Sequence, residues 1–326
     1  FDLTYDGADG GTLLSVDPSD WDPASGTGGS AGRPGGALLK HGPGAHLGSF
    51  TGELAVADAA TCPVPAGLPA RPPEAIVPTR FADEVWRLPL SADAEVVECA
   101  DGCVVPADPD LHDPFGVALA CRPDGQRRSA FVSYLRTAAV AGVFEAGWVV
   151  QVDLDDPASA NRSIQLGSAG LGGMAYDALT DRLYVLERRL LAAPIHVLDL
   201  TTCPAGLAAC PAPAIATVAL ETAIGGLELQ SMALSNPQPG VLGRRAYVSA
   251  RLYDPALAAL FGACPANDIG AVLLVLDLEE NASGRPALTV LNVVPVGLGT
   301  GQVLVLPARP GLRDVVVVSG GADGVL

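Results

Sequence analysis

An apolar strand closed by an aspartate recurs along this chain, and that recurrence narrows the possible folds more than any other feature. It reads LLSVD to Asp17, LAVAD to Asp58, VVQVD to Asp153, IHVLD to Asp199 and LLVLD to Asp277. A degenerate copy, VWRLPL from Val85 to Leu90, carries Pro89 in the aspartate position. Short β-rich runs closed by turn formers read as strands. A second strand precedes this one: AFVSY from Ala130, RLYVL from Arg182, RAYVS from Arg245 and DVVVV from Asp314, with EAIVP from Glu74 a weaker copy. Ahead of both lies another, GVALA from Gly116, GMAYD from Gly173, SMALS from Ser231 and QVLVL from Gln302. A fourth follows the aspartate strand, as RSIQLG near Ile164, IATVAL near Val218 and LTVLNVVPVG near Val294.

Four short strands recurring in one order, with turn signals between them, are the sequence signature of propeller blades. The aspartate strands give six copies, and a seventh copy begins at Gly324-Val325-Leu326. The expected fold is therefore an all-β propeller of four-stranded blades, seven in number, with the last blade incomplete in this chain. Each aspartate strand should be the third of its blade, with Asp58, Asp153, Asp199 and Asp277 at equivalent positions. Asp17 to Asp58 is 41 residues and Asp153 to Asp199 is 46, which suits one blade per repeat, whereas Asp199 to Asp277 is 78 and requires insertions. The Gly/Pro-rich stretches 22–43 and 62–73 read as loops, because the repeat resumes in phase after each. Residues 1–326 are accordingly expected to form one domain, its blades clearest from 114 to 321 and its first 73 residues loop-rich and degenerate.

Composition sets the surroundings. Lys+Arg 19 against Asp+Glu 36 gives a formal charge of −17, the wrong sign for a nucleic-acid binder, whose phosphate contacts need a basic surface. No apolar run reaches the roughly 18 residues of a spanning helix. The sequence opens at Phe1 without a charged, apolar-cored leader, so a targeting segment removed before Phe1 or a missing start is expected. Arginine carries the positive charge apart from Lys40, a bias that resembles high-GC bacterial coding. Seven cysteines are many for a reduced cytosol. Cys99 with Cys103 and Cys203 with Cys210 are expected to be loop-stapling disulfides in an oxidising compartment, with Cys62, Cys121 and Cys264 left over. Neither pair has CxxC spacing or a nearby histidine, so structural zinc has no ligand set. Asn161-Arg162-Ser163 and Asn281-Ala282-Ser283 match the glycosylation sequon and read as chance matches in turns.

RLYVLERRLLAAPIHVLDL and DLEENASGRPALTVLNVVPVGLGTG resemble the YVTN-type repeats of the lactonase-like seven-bladed propellers, over most of Pro114 to Gly321. The literal YVTN is absent; YVLE, YVSA and FVSY stand in its place. The resemblance implies a bacterial, extracytoplasmic scaffold or binding protein, or a minority enzyme, and fold alone does not decide among these.

A search for catalytic constellations finds little. There is no GxSxG, and the glycine-rich stretches 7–11 and 297–301 are imperfect and precede no helix. His196 sits mid-strand in IHVLDL as a packed strand residue, and His41 and His46 lie in a segment too glycine-rich to fix two ligands. Asp108, Asp110 and Asp113 crowd with His112 in DPDLHDP, and Asp17, Asp20 and Asp22, and Asp6 and Asp9, form similar groups. Calcium wants six to eight oxygens from such carboxylates. No cofactor is expected at these sites, calcium being the weak candidate, because Asp-Pro steps are ordinary turn chemistry. The loops entering each innermost strand carry Asp113, Glu228, Gln230, Thr300 and Gln302. The metal-dependent lactonase-like propellers use channel-facing carboxylate and amide ligands, so the resemblance makes Asp113 and Glu228 candidate metal ligands, beside Asp108 and Asp110 of the acidic cluster, and a lactonase-like hydrolase the alternative function.

The preferred expectation is a non-catalytic subunit that binds other proteins or an extracytoplasmic assembly. Long segments separate the second and third strands: Leu135 to Gly147, Arg188 to Ala193 and Leu252 to Gly270. In a four-stranded meander these connections share a face with the entries into the next blade. They carry Val140, Val143 and Phe144, then Leu190 and Leu191, then Tyr253, Leu257, Leu260 and Phe261, with DPALAALFG reading as a short helix capped by Asp254. Arg80, Arg188 and Arg251 each fall three residues after a central strand valine (Val77, Val185 and Val248), and Arg136 falls four after Val132. One arginine thus stands at the same edge of four blades. They either pair with neighbouring carboxylates or present guanidinium forks to an anionic partner.

Overall fold

A computed structural model describes residues 12–13, 21–22, 27–28, 45–46, 53–80, 82–91, 103–105, 110–125, 127–137, 147–156, 161–167, 170–188, 193–201, 203, 214–220, 226–235, 243–252, 270–281, 284–298, 300–306 and 315–320. These residues hold strands and no helix. None of their elements is a helix long and apolar enough to cross a membrane.

The strands are, in chain order, β1 (Thr12–Leu13), β2 (Trp21–Asp22), β3 (Thr27–Gly28), β4 (Ala45–His46), β5 (Ala55–Ala57), β6 (Glu74–Thr79), β7 (Glu84–Pro89), β8 (Val104–Val105), β9 (Leu111–Cys121), β10 (Arg128–Thr137) and β11 (Gly147–Asp153). They continue as β12 (Arg162–Leu166), β13 (Leu171–Asp177), β14 (Arg182–Glu187), β15 (Pro194–Asp199), β16 (Ala214–Ala219), β17 (Leu227–Leu234), β18 (Arg245–Leu252), β19 (Gly270–Asp277), β20 (Val290–Leu298), β21 (Thr300–Leu306) and β22 (Val315–Gly320). Four antiparallel meanders result, β5-β6-β7-β8, β9-β10-β11-β12, β13-β14-β15-β16 and β17-β18-β19-β20, and β21-β22 begins another. We number these blades 1 to 5. The first strands of successive blades, β9, β13, β17 and β21, pack against one another, which is the propeller arrangement of four-stranded blades around an axis.

The four strand classes read from the repeat fall in the expected order. Asp153, Asp199 and Asp277 each end a third strand, and each accepts the backbone N–H two residues on, from Asp155, Thr201 and Glu279 at 2.8, 3.0 and 3.1 Å. The recurring aspartate is thus an Asx turn that ends the strand. Asp58 departs from expectation: it follows β5, the first strand of blade 1, and its third-strand equivalent is Pro89 on β7. Asp177, one position earlier in register, where blade 1 has Ala57, ends the first strand of blade 3. Asp58 accepts from Ala60 and Thr61 N–H groups at 2.9 and 2.8 Å, the same chemistry on a different strand. Asp17 lies outside the described residues.

Alternation along the strands fills the space between blades. Tyr184, Leu186, Ile195 and Val197 of blade 3 pack with Leu229, Met232, Val248 and Leu274 of blade 4 in one apolar cluster. Phe131 and Val149 of blade 2 pack with Leu183, Val185 and Leu198 of blade 3 in another. Cys62 and Cys121, which pairing by sequence proximity leaves over, are bonded to each other across 59 residues, joining the loop after β5 to the end of β9. A cross-link closing a loop of that length stabilises by about 4 kcal/mol through the unfolded chain. Cys103 and Cys203 are also disulfide-bonded. Cys99, Cys210 and Cys264 lie outside the described residues.

Candidate site at the channel mouth

The two ends of the blades are built differently. At the end carrying the first-to-second and third-to-fourth strand turns, arginines bridge neighbouring blades. Arg87 of blade 1 binds Glu74 and reaches the Asp153 and Leu154 carbonyls of blade 2 at 3.2 and 3.1 Å. Arg127 of blade 2 is 1% exposed; it donates to the Leu200 and Cys203 carbonyls of blade 3, to Tyr176 Oη and to Asp181. Burial pushes the Tyr176 hydroxyl up from its ordinary range. Arg182 of blade 3 meets Glu280 and the Gly284 carbonyl of blade 4, and Arg244 of blade 4 meets Asp177 of blade 3.

The opposite end is where second strands finish and first strands begin. Arg80, after β6, donates through Nε to Asp113 Oδ1 of blade 2 at 2.8 Å. Arg188, after β14, pairs with Glu228 of blade 4. Both guanidiniums lie over the half-buried ring of Phe115, at 5.5 and 5.4 Å from its centroid, so one aromatic ring sits between two cations from different blades. Asp113 holds a positive φ of 62° and takes the carboxylate of Asp83 on its own N–H at 2.6 Å, a constrained backbone at the entrance to β9. Asp83 also binds His112 Nδ1 at 2.8 Å. Arg251, the penultimate residue of β18, stands opposite Glu228 in the strand register, and no ion pair to it occurs among the described residues. Arg136 is opposite His112 in the register of β10 with β9.

Four of the five first strands, β9, β13, β17 and β21, bulge as they enter. The register slips between Val132 and Tyr134, Leu171 and Met174, Leu229 and Ser231, and Thr300 and Val303. Such bulges re-aim backbone and side chains at sheet ends. Buried hydroxyls bridge blades there: Ser133 Oγ donates to the Gly172 carbonyl at 2.6 Å, and Ser249 Oγ to the Gly301 carbonyl at 2.8 Å. Following the strand registers, Glu53, Gly116, Gly173, Ser231 and Gln302 occupy one equivalent position around the axis.

Glu53 is the unusual member. Its N–H donates to the Phe115 carbonyl at 2.8 Å, while its carboxylate meets the Ser231 hydroxyl and the Met174 N–H from blades 4 and 3. Burial pushes its carboxyl up to about 7, against the lowering effect of those two hydrogen bonds. A Cβ on Gly173 would stand 2.9 Å from Glu53 Oε1 and 2.8 Å from Ser231 Cα, so only glycine leaves this carboxyl its place. Glu53 Oε1 and Gln230 Nε2 are buried without hydrogen-bond partners. Buried polar atoms in that state are exceptional in folded proteins.

The remaining sequence candidates divide as follows. Asp110 is exposed in the turn before β9, and Asp113 and Glu228 are buried beside arginines. Among the described residues, no group of three or more His, Cys, Asp or Glu is placed to share a metal ion. Asp108, Phe144, Tyr253, Phe261 and the DPALAALFG segment lie outside the described residues. His196 is buried on β15, bonded to Glu187 at 2.8 Å and Thr217 at 2.9 Å, as a packed strand histidine should be. Sequence reasoning passed over Glu53, Phe115 and Arg127; the register equivalence that singles out Glu53 exists only once the bulges are seen.

No family model matches the chain, and no curated protein matches it. Among solved structures it is similar to a functionally unknown protein from Desulfotomaculum acetoxidans, with 13% identity, a TM-score of 0.39 and 81% of this chain covered. It is also similar to a "putative 6-phosphogluconolactonase" from Bacteroides uniformis, with 14% identity, a TM-score of 0.40 and 77% covered. The chain spans 65% of the length of each.

Proposed function

We propose that this chain is a non-catalytic, extracytoplasmic propeller of the YVTN-like kind that binds a protein partner through the face where second strands end and first strands begin. One observation carries the reading: of the equivalent arginines on that face, Arg80 and Arg188 tie neighbouring blades together, whereas Arg251 has no ion pair among the described residues. Arg251 also stands at the root of the longest insertion, 253–269. A half-buried guanidinium held at a sheet end offers a planar fork to a carboxylate on a partner. The Cys62–Cys121 bond and the bonded states of Cys103 and Cys203 support an oxidising compartment.

One observation favours the alternative, a lactonase-like hydrolase. Glu53 holds a carboxyl that burial pushes up to about 7, against Ser231 and Met174 of two other blades, which suits general acid–base chemistry. The described residues do not fit the metal such a hydrolase uses: Asp113 and Glu228 face arginines, and no third ligand joins them. Purifying the untagged protein from its source, with elemental analysis and turnover on simple lactones, separates the two. The binding reading expects a co-purifying protein and no turnover. Stoichiometric metal together with lactone hydrolysis that Glu53→Gln abolishes would overturn it.

A further inference from the structure

The longest first-to-second strand connection is the one from β5 to β6. Residues 58–73 leave and re-enter the sheet at paired positions, Ala57 opposite Glu74, and so form a 16-residue loop with its ends together. Loops of this kind are usually packed by their own side chains, and many are functional. This one encloses a hollow of about 290 Å³, at the small end of ligand pockets. We propose that the hollow binds a small free carboxylic acid with an apolar body, its carboxylate seated on Arg128. The site lies on the turn face, away from the channel mouth, and does not rest on the protein-binding reading.

Composition keeps the loop stiff and its middle empty. Five prolines, Pro63, Pro65, Pro69, Pro72 and Pro73, fix φ along it. Cys62 bonds it to Cys121 of blade 2. Val64 and Pro65 lie so close to Gly125 of blade 2 that a Cβ there would stand 2.6 Å from Pro65 N. Arg71 ties the returning arm to the same blade, through Asp155 Oδ1 at 3.3 Å and the Leu154 carbonyl at 3.2 Å. The loop is thus held from outside. Inside, Ala57, Ala59, Ala66, Gly67 and Ala70 line the hollow, where larger side chains would close it. A site formed in advance loses little affinity to ordering when a ligand enters.

Arg128 supplies the polar end. Its side chain lines the hollow and is 4% exposed. Nε donates to the Cys62 carbonyl at 3.2 Å and Nη1 to Asp155 Oδ1 at 2.6 Å, and Nη2 has no acceptor among the described residues. A buried guanidinium with an N–H left over binds a carboxylate more strongly than a neutral acceptor. The charge agrees: Arg71 and Arg128 share the one carboxylate of Asp155, which leaves a positive charge over. Asp58, the other carboxylate of the lining, is engaged in its own turn, where Oδ1 accepts from the Ala60 and Thr61 N–H groups and the Thr61 hydroxyl. Pro63, Val64 and Leu68, the last 61% exposed, offer apolar surface to the rest of the ligand.

Calorimetric titration of the full chain with benzoate, benzamide and benzylamine tests this, with backbone amide exchange to locate the site. Benzoate should bind once per chain, at least tenfold tighter than the neutral and cationic analogues, and should slow exchange in 57–71 while β18 is unchanged. Arg128→Ala should lose benzoate. Should that variant fail to fold, Ala66→Phe/Ala70→Phe decides, because both alanines are exposed residues of the lining and the change fills the hollow with Arg128 in place. It should weaken benzoate at least tenfold. No saturable benzoate binding by the native chain, equal affinity for benzamide, slowed exchange elsewhere, or binding that either variant leaves intact would overturn the proposal.

Discussion

The two faces of the propeller use the same residues to different ends. On the turn face, arginines 87, 127, 182 and 244 each find a carboxylate on their own or the adjoining blade, and three of them also take backbone carbonyls of the next blade. On the channel-mouth face Arg80 and Arg188 are paired, but Glu53 Oε1 and Gln230 Nε2 are buried without partners and Arg251 lacks an ion pair among the described residues. A fold that satisfies its charges so thoroughly at one end has the means to do so at the other. Unpartnered buried polar atoms are not confined to the mouth, since Gln151 Oε1 and Tyr184 Oη toward the turn face also lack partners, so the difference between the faces lies in their arginines.

The sharpest way to break this contrast is Arg127. Arg127→Ala should cost about 3–5 kcal/mol, because it removes the buried partner of Asp181 and leaves the Leu200 and Cys203 carbonyls without their donor in a dry site. Denaturant midpoints check this; a loss under about 1 kcal/mol would make the turn face no more structural than the mouth. Next, reduction of the Cys62–Cys121 bond, or Cys62→Ser with Cys121→Ser, should remove about 2–4 kcal/mol by the same measurement.

Glu53 works in the other direction. Its folded carboxyl titrates near 7, above the unfolded value of 4.5, so between those pH values the folded state holds more proton than the unfolded. Stability should be highest below the unfolded value and fall as pH rises toward 7, by at most about 3 kcal/mol. Glu53→Gln should abolish that slope and melt higher than the native chain at pH 8, whereas a slope unchanged in the variant would place the titration elsewhere. The smallest effect distinguishes two equivalent arginines. Arg188→Ala should destabilise by about 1–2 kcal/mol by removing the interblade pair with buried Glu228, and Arg251→Ala by under about 0.5 kcal/mol. Equal losses would show that Arg251 is a structural pin as well.

Much of this was legible in the sequence, and the failures have physical causes. The four strand classes were correctly ordered because alternation and turn residues are local. Asp58 misled because an Asx turn ends a first strand, as at Asp177, as readily as a third, as at Asp199. Cys62 and Cys121 were left over because adjacent blades bring distant residues together, and nearness in sequence is a poor guide to that. Arg80 and Arg188 were found at their edge, but their carboxylates belong to the following blade and only the packing of blades reveals them. Glu53 had no motif at all: a lone carboxylate before a short strand becomes remarkable only when a bulge, a glycine and two neighbouring blades converge on it.

The division between faces is tested most directly by capturing partners with the native protein, with Arg251→Ala, and with Arg71→Ala as a turn-face control whose exposed pair with Asp155 is at 3.3 Å. The captures should be run at low and at high salt, since an exposed guanidinium contact is screened. The account predicts that Arg251→Ala loses partner at low salt while Arg71→Ala retains it, and that the difference narrows at high salt. Equal capture by both variants, or loss confined to Arg71→Ala, would contradict it.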